Sequence, residues 1–284
     1  MRANATSDDF PGGVLVETTL RCPADCVICP NKKITGRRRD IDWDLFCSIV
    51  DECRDAGVAE FHPFINGEPL SWPRLADGLD YLSRMLPEAA VHIYTSGHGL
   101  DRGMTARLLG SSVSEVHFSI DGFSKAVYEA HRRGLSYERV MANVAAFLEA
   151  VRRQHAAIAT RAVMTLTDDN GHEAAAFRDY WRGRVDVVEV LPCDGRGGQG
   201  RSPACDEGRR LPCFQVASRA CVLSDGSVVG CCKDSIGHSV FGNVATEPLR
   251  EIWNSPDYRR FREEVTGDAP GGFEVCRRCL TDRL

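Results

Sequence analysis

Eight residues constrain this chain more than any others: Cys22-Pro-Ala-Asp-Cys26-Val-Ile-Cys29, a C-x3-C-x2-C run just after the apolar stretch from Val14 to Thr18. Three thiolates on one tight loop can hold three irons of a [4Fe–4S] cluster. Such clusters normally take four cysteines, so a three-cysteine loop leaves one iron open to a small molecule. The competing reading is a partial zinc site. Zinc sites usually pair C-x2-C units or mix cysteine with histidine, and no histidine lies in this stretch. The apolar run reads as a first strand, which puts the cysteine loop at a strand's C-terminal end.

The rest of the chain alternates strand and helix patterns. After the basic loop Asn31–Asp40, with Lys32, Lys33, Arg37, Arg38 and Arg39, residues 42–56 space Trp43, Phe46, Ile49, Val50 and Cys53 as one helical face. Asp42 reads as its N-cap and Gly57 as its stop. Cys47 and Cys53 read as buried thiols of this helix. The basic loop is either solvated or a contact for an anionic group.

Strands are expected at 58–65, 91–95, 115–120, 158–166 and 185–191. Helices are expected at 72–86, 104–109, 125–132, 136–154 and 170–182. Alternation of this kind implies a parallel sheet with right-handed crossovers. Sites in such folds gather at the C-terminal strand ends. Asn66-Gly67-Glu68, Thr95-Ser96 and Ser119 fall at those ends, as the cysteine loop does.

Composition narrows the function classes. The 284 residues suffice for one large domain, or a large and a small one. A net charge of −5 argues against a general nucleic-acid binder. No apolar run reaches the ~18 residues that span a membrane, and the polar N-terminus lacks a signal-peptide pattern, so a cytoplasmic protein is expected. In that compartment thirteen cysteines point to metal or cluster ligation rather than disulfides.

The cysteine loop resembles the signature of the radical S-adenosylmethionine (radical SAM) superfamily, with Ile28 where the family often has an aromatic residue. The resemblance implies an α/β fold, a partial (β/α)6 barrel. It implies that Cys22, Cys26 and Cys29 hold a [4Fe–4S] cluster whose open iron binds S-adenosylmethionine, from which one electron releases a 5′-deoxyadenosyl radical. Gly67 and Glu68 would hold the cofactor's amino group, Ser119 and Arg133 its carboxylate, and Thr95 and Ser96 would lie near its ribose.

The last seventy residues carry a second cysteine set. Cys221–Cys231 reads as a hairpin around Asp225-Gly226. Cys213, the Gly226-x4-Cys231 step, Phe241-Gly242-Asn243 and Cys276-x2-Cys279 resemble the SPASM extension of radical SAM enzymes, in its truncated twitch form. The resemblance implies a small α+β domain in which Cys213, Cys231, Cys276 and Cys279 close an auxiliary [4Fe–4S] cluster. A zinc module on the same cysteines is the alternative. The expected organisation is a tail (1–13), a core (14–191), a Gly/Arg-rich linker (192–212) and the twitch domain (213–284). The short tail leaves little room for an N-terminal peptide-binding domain. Cys193 and Cys205 show no obvious ligand spacing, and they and Cys221 are left unassigned.

Cys232 is left over beside a ligand, and on an extended chain it would point away from Cys231's side. It is either a spare buried thiol or a hydrogen-atom donor. The resemblance is strongest to members acting on aminoglycosides and aminocyclitols, so the expected substrate is a small polyhydroxylated molecule. Cys232 favours epimerisation of a sugar carbon. The alternatives are dehydrogenation of a secondary alcohol, with Arg196 assisting deprotonation or binding the hydroxyl, peptide maturation, and a non-catalytic electron carrier. A flavodoxin- or ferredoxin-type electron donor is the partner implied.

Overall fold

Asp42 begins the first long helix as its position predicts: its carboxylate accepts from the backbone N–H of Asp44 and Leu45, and Gly57 ends the helix with φ +67°. These are features of a computed structural model that describes residues 9–36, 39–193, 213–267, 273 and 276. Arg37, Arg38, Arg196, Cys205, Cys279 and linker residues 194–212 lie outside the described residues.

The first half of the chain forms β1 (Gly13–Val16), β2 (Asp25–Cys26), α1 (Trp43–Ala56), β3 (Glu60–His62), α2 (Leu75–Met85), β4 (Ala90–Thr95), α3 (Arg102–Leu109), β5 (Val113–Ser119) and α4 (Lys125–His131). It continues through β6 (Arg132–Arg133), α5 (Tyr137–Gln154), β7 (Ala159–Leu166), α6 (Ala174–Trp181) and β8 (Val187–Pro192). The C-terminal region adds α7 (Phe214–Ser218), β9 (Arg219–Val222), β10 (Ser227–Val229), β11 (Val240–Asn243), α8 (Leu249–Asn254) and α9 (Pro256–Thr266). No helix among the described residues is long and apolar enough to cross a membrane.

Two compact units result. The first joins residues 1–20, 30–66 and 194–284. Its strands run β11-β10-β9-β1-β3, with β9 and β3 parallel to β1 and the β9–β10–β11 steps antiparallel. The C-terminal hairpin thus extends the sheet of the first strand. The core here is Val14, Val16, Phe46, Ile49, Phe61, Trp253, Tyr258 and Phe261, all at most 2% exposed. Each of the Val, Ile and Phe side chains among them contributes roughly 1.5–3 kcal/mol by burial. A fully buried carboxylate, Glu17, is satisfied by Asn66 Nδ2 (2.6 Å), Ser224 Oγ (2.9 Å) and the Ser224 N–H (3.2 Å).

The second unit joins residues 21–29 and 67–193, with strands β4-β5-β7-β8 all parallel. Strand alternation sends Val91, Ile93 and Thr95 to one face and His92 and Tyr94 to the other. The apolar face meets helices, as the edge-on pair Phe118–Phe147 at 5.8 Å shows.

Three boundaries differ from expectation for local reasons. β3 stops at His62 because Pro63 has no N–H for the ladder. The helix expected from residue 72 begins at Leu75, because Trp72 precedes Pro73 and is held extended with ψ 121°. The helix expected from residue 170 opens as a 3-10 turn. There the Asn170 side chain is committed to Asp121 O, Thr165 O and the Thr167 N–H rather than to capping. Cys53 is buried as expected, whereas Cys47 is only half-buried.

Candidate cluster and cofactor site

The cysteine loop is held by the segment that follows α4. β2 pairs antiparallel with β6, Cys26 opposite Arg132 and Asp25 opposite Arg133, and the Val27 N–H donates to His131 O at 3.0 Å. Gly134, at φ +87°, lets the chain pass so close that a Cβ there would sit 2.9 Å from Pro23 O. The Cys29 N–H donates to Cys26 O at 3.1 Å and closes the turn.

Cys22 feels the charge of Cys26 and Cys29, and Cys26 that of Cys29. Burial pushes the Cys22 thiol up to about 12 and raises Cys26, where the Arg132 guanidinium pulls the other way. Thiols buried like this become thiolates only with a cation to compensate them. Three clustered, half-buried soft donors therefore suit an iron–sulfur cluster. Arg132 Nη1 lies 3.7 Å from Cys26 Sγ, and its Nε is 2.7 Å from the Asp121 carboxylate. Asp121 is 1% exposed and also accepts from the Thr165 N–H at 2.9 Å.

The second wall of the site comes from the turn after β3. Gly67 takes φ +75°, and the Glu68 N–H donates to Arg21 O at 2.8 Å, tying the turn to the start of the cysteine loop. Glu68 is 3% exposed and contributes to the rise at Cys22. Its Oε1 accepts from Thr95 Oγ1 (2.7 Å); its Oε2 accepts from Ser96 Oγ (2.6 Å) and the Ser96 N–H (2.8 Å). Asn143 on α5 steadies this corner by donating to Gly97 O and His98 O, both at 3.0 Å.

The structure thus brings together Cys22, Cys26, Cys29, Glu68, Thr95 and Ser96. Thr95 and Ser96 bond the Glu68 carboxylate itself, a pairing that spacing did not reveal. Ser119 ends β5 half-buried, and Arg133 is exposed. The guanidinium that reaches the cysteine loop belongs to Arg132, which sequence reasoning missed. Two adjacent arginines after α4 were the available signal, and strand alternation lets only one of them face the loop.

In the first unit, five thiols gather around the C-terminal hairpin. Cys231 feels Cys232, Cys221 and Cys276, and Cys221 feels Cys232 and Cys213. Burial is the main cause that raises both Cys221 and Cys231. This donor set also fits a cluster. Cys231 and Cys232 lie in a turn closed by the Asp234 N–H donating to Cys231 O at 3.1 Å, beyond the end of β10. The expected opposition of their side chains along an extended strand therefore does not apply. Cys232 packs half-buried against the cluster of Ile65, Cys221, Leu223 and Val229.

Comparison with known proteins identifies the family. Residues 16–178 match the radical SAM superfamily, and residues 213–280 match the SPASM iron–sulfur cluster-binding domain. A PqqA peptide cyclase of Streptomyces rochei is 32% identical over 42% of this chain, an alignment that spans only 32% of that relative. The S-adenosyl-L-methionine-dependent 2-deoxy-scyllo-inosamine dehydrogenase of Niallia circulans is 22% identical over 93% of this chain and 90% of its own length. The solved structure of BtrN in complex with AdoMet and 2-DOIA superposes with a TM-score of 0.66 at 18% identity, covering 96% of this chain and 94% of that one. The chain belongs to the radical SAM superfamily: an α/β enzyme with a largely parallel sheet and a C-terminal SPASM-type domain, whose cofactors are S-adenosylmethionine and two iron–sulfur clusters.

Proposed function

We propose that the protein epimerises a carbon of a small polyhydroxylated, aminoglycoside-like substrate, with Cys232 as the hydrogen-atom donor. The observation that carries this reading is the position of Cys232. It is a half-buried thiol against an apolar cluster, in the turn it shares with Cys231, one of the cysteines assigned to the auxiliary cluster. When bound, S-adenosylmethionine and the reduced cluster supply a 5′-deoxyadenosyl radical that takes a hydrogen atom from carbon.

The chain's own groups prepare that event. Cys22, Cys26 and Cys29 would hold three irons, and Arg132 would offset the negative charge of their thiolates. Glu68, locked by Thr95 and Ser96, accepts from the cofactor's ammonium in a charge-assisted hydrogen bond. Gly67 lets the backbone come close, and Ser119 and Arg133 serve the carboxylate end. Cys232 then gives its hydrogen to the opposite face of the substrate carbon: the S–H bond breaks and a C–H bond forms. The sulfur is restored by one proton and one electron. An auxiliary cluster, which Cys213, Cys231, Cys276 and Cys279 would hold, would supply that electron, drawn from a flavodoxin- or ferredoxin-type donor.

A second reading rests on the dehydrogenase relative, which matches along nearly its whole length. There the substrate carbon gives up its hydrogen atom as before, its hydroxyl loses a proton with Arg196 or a nearby group assisting or binding that hydroxyl, and the auxiliary cluster would take up the one remaining electron, giving a ketone. Turnover of candidate aminocyclitols and aminoglycosides in deuterated water decides between the two. One deuterium gained at an inverted carbon, lost in Cys232→Ala with 5′-deoxyadenosine formation retained, supports epimerisation. A ketone without deuterium at that carbon refutes it. Turnover confined to peptides refutes both and assigns the activity of the peptide-cyclase relatives.

A further inference from the structure

We propose that His92, Glu115 and His117 form a binding site for one divalent first-row transition metal, separate from both thiol sets. The three residues sit on β4 and β5, which are parallel neighbours with His92 opposite Glu115 and Tyr94 opposite His117. Strand alternation places them together on the sheet face away from the Val91–Ile93 core. One ligand atom from each lies within 4.8 Å of the others. His117 Nε2 is 3.5 Å from Glu115 Oε1, and His92 Nδ1 is 3.8 Å from Glu115 Oε2. A tetrahedral zinc with bonds of ~2.0–2.1 Å sets its ligand atoms ~3.4 Å apart, so small side-chain shifts close the site.

His117 supplies the second, independent observation. It is 6% exposed, and its Nε2 is buried without a hydrogen-bond partner. The carboxylate it faces is too far for a well-formed hydrogen bond. A buried nitrogen left in this state costs free energy, and metal coordination would satisfy it. The ring cannot swing away easily, because Tyr94 stacks on it at 4.0 Å.

Arg161 fixes the carboxylate. Its Nε donates to Glu115 Oε1 at 2.8 Å, and its Nη1 donates to Glu189 Oε1 at 2.5 Å. Two carboxylates against one guanidinium leave one negative charge beside two imidazoles, a balance that attracts a cation. Outer partners of this kind orient the ligands of metal sites. Two imidazoles and a carboxylate, without a thiolate, select an ion such as zinc over an iron–sulfur cluster. His92 and Glu115 are only partly buried, which leaves the fourth position to water, as in open zinc sites.

The test uses holoenzyme with both clusters in place, equilibrated anaerobically with one equivalent of zinc and desalted. The expected result is about one zinc per chain. Its X-ray absorption should show nitrogen and oxygen neighbours at ~2.0–2.1 Å with imidazole scattering, and no sulfur shell at ~2.3 Å. His92→Asn and His117→Gln should each weaken retention at least tenfold, with iron and sulfide content unchanged. The proposal is overturned if no zinc is retained, if the zinc has sulfur neighbours, or if both variants keep it. The wild-type spectrum decides alone should the His117 variant fail to fold.

Discussion

Replacing Arg132 with methionine tests how the cysteine loop is anchored. The side chain forms an ion pair at 2.7 Å with Asp121, which is 1% exposed, and it also reaches Cys26. Methionine keeps much of the volume but strands the Asp121 carboxylate. Breaking a buried pair from one side costs about 3–5 kcal/mol. Asp121 retains the Thr165 N–H at 2.9 Å, so the lower end of that range applies. At roughly 2–4 °C per kcal/mol for chains approaching this size, the holoenzyme should melt about 8 °C lower. The assay is anaerobic calorimetry of cluster-loaded protein, with Arg132→Met combined with Asp121→Asn as the second arm. Removing both charges should recover most of the loss, because no uncompensated carboxylate remains. Melting of Arg132→Met within about 2 °C of wild type would refute the argument. A double variant that melts lower than either single one would refute it too.

Glu68→Gln should weaken S-adenosylmethionine binding about 10- to 100-fold, the worth of a hydrogen bond between charged groups, measured by anaerobic calorimetric titration. Gly134→Ala forces a Cβ to 2.9 Å from Pro23 O at φ +87°. It should cost about 1–3 kcal/mol and lower the iron retained by the first cluster, read by iron and sulfide analysis. A third prediction concerns pH. The hydrogen bond from His62, with Arg219 at 2.6 Å, holds the Glu60 carboxyl down at about 2. A lowered carboxyl stabilises the fold fully above the ordinary value near 4.5 and loses that contribution as pH falls toward 2. The melting advantage of wild type over Glu60→Gln should therefore be constant from pH 7 to 5 and shrink below about 4.5.

Much of this architecture was legible because its signals are local. Asp42 and Gly57 bound α1 through their own side chain and backbone, and the strand patterns needed only alternation. The parallel pairing of β9 with β1 was not legible. It joins residues some two hundred positions apart, and nothing in Arg219–Val222 announces a parallel partner. The same distance effect hid the corner of the site where Thr95 and Ser96 bond Glu68, since each reads alone as an ordinary turn residue. Arg132 and Arg133 show the limit most plainly. Composition could not say which of two neighbours faces the cysteines until the β2–β6 register was known. The His92–Glu115–His117 group was hidden for another reason: its members look like unremarked polar positions in strands until two strands are placed side by side.

The most direct measurement is 5′-deoxyadenosine released from S-adenosylmethionine by anaerobically reconstituted, chemically reduced protein, quantified by mass spectrometry. Wild type should release it, and Cys26→Ala should release none above background while keeping the iron of the auxiliary cluster. No release from iron-loaded wild type, or undiminished release from Cys26→Ala, would contradict the account.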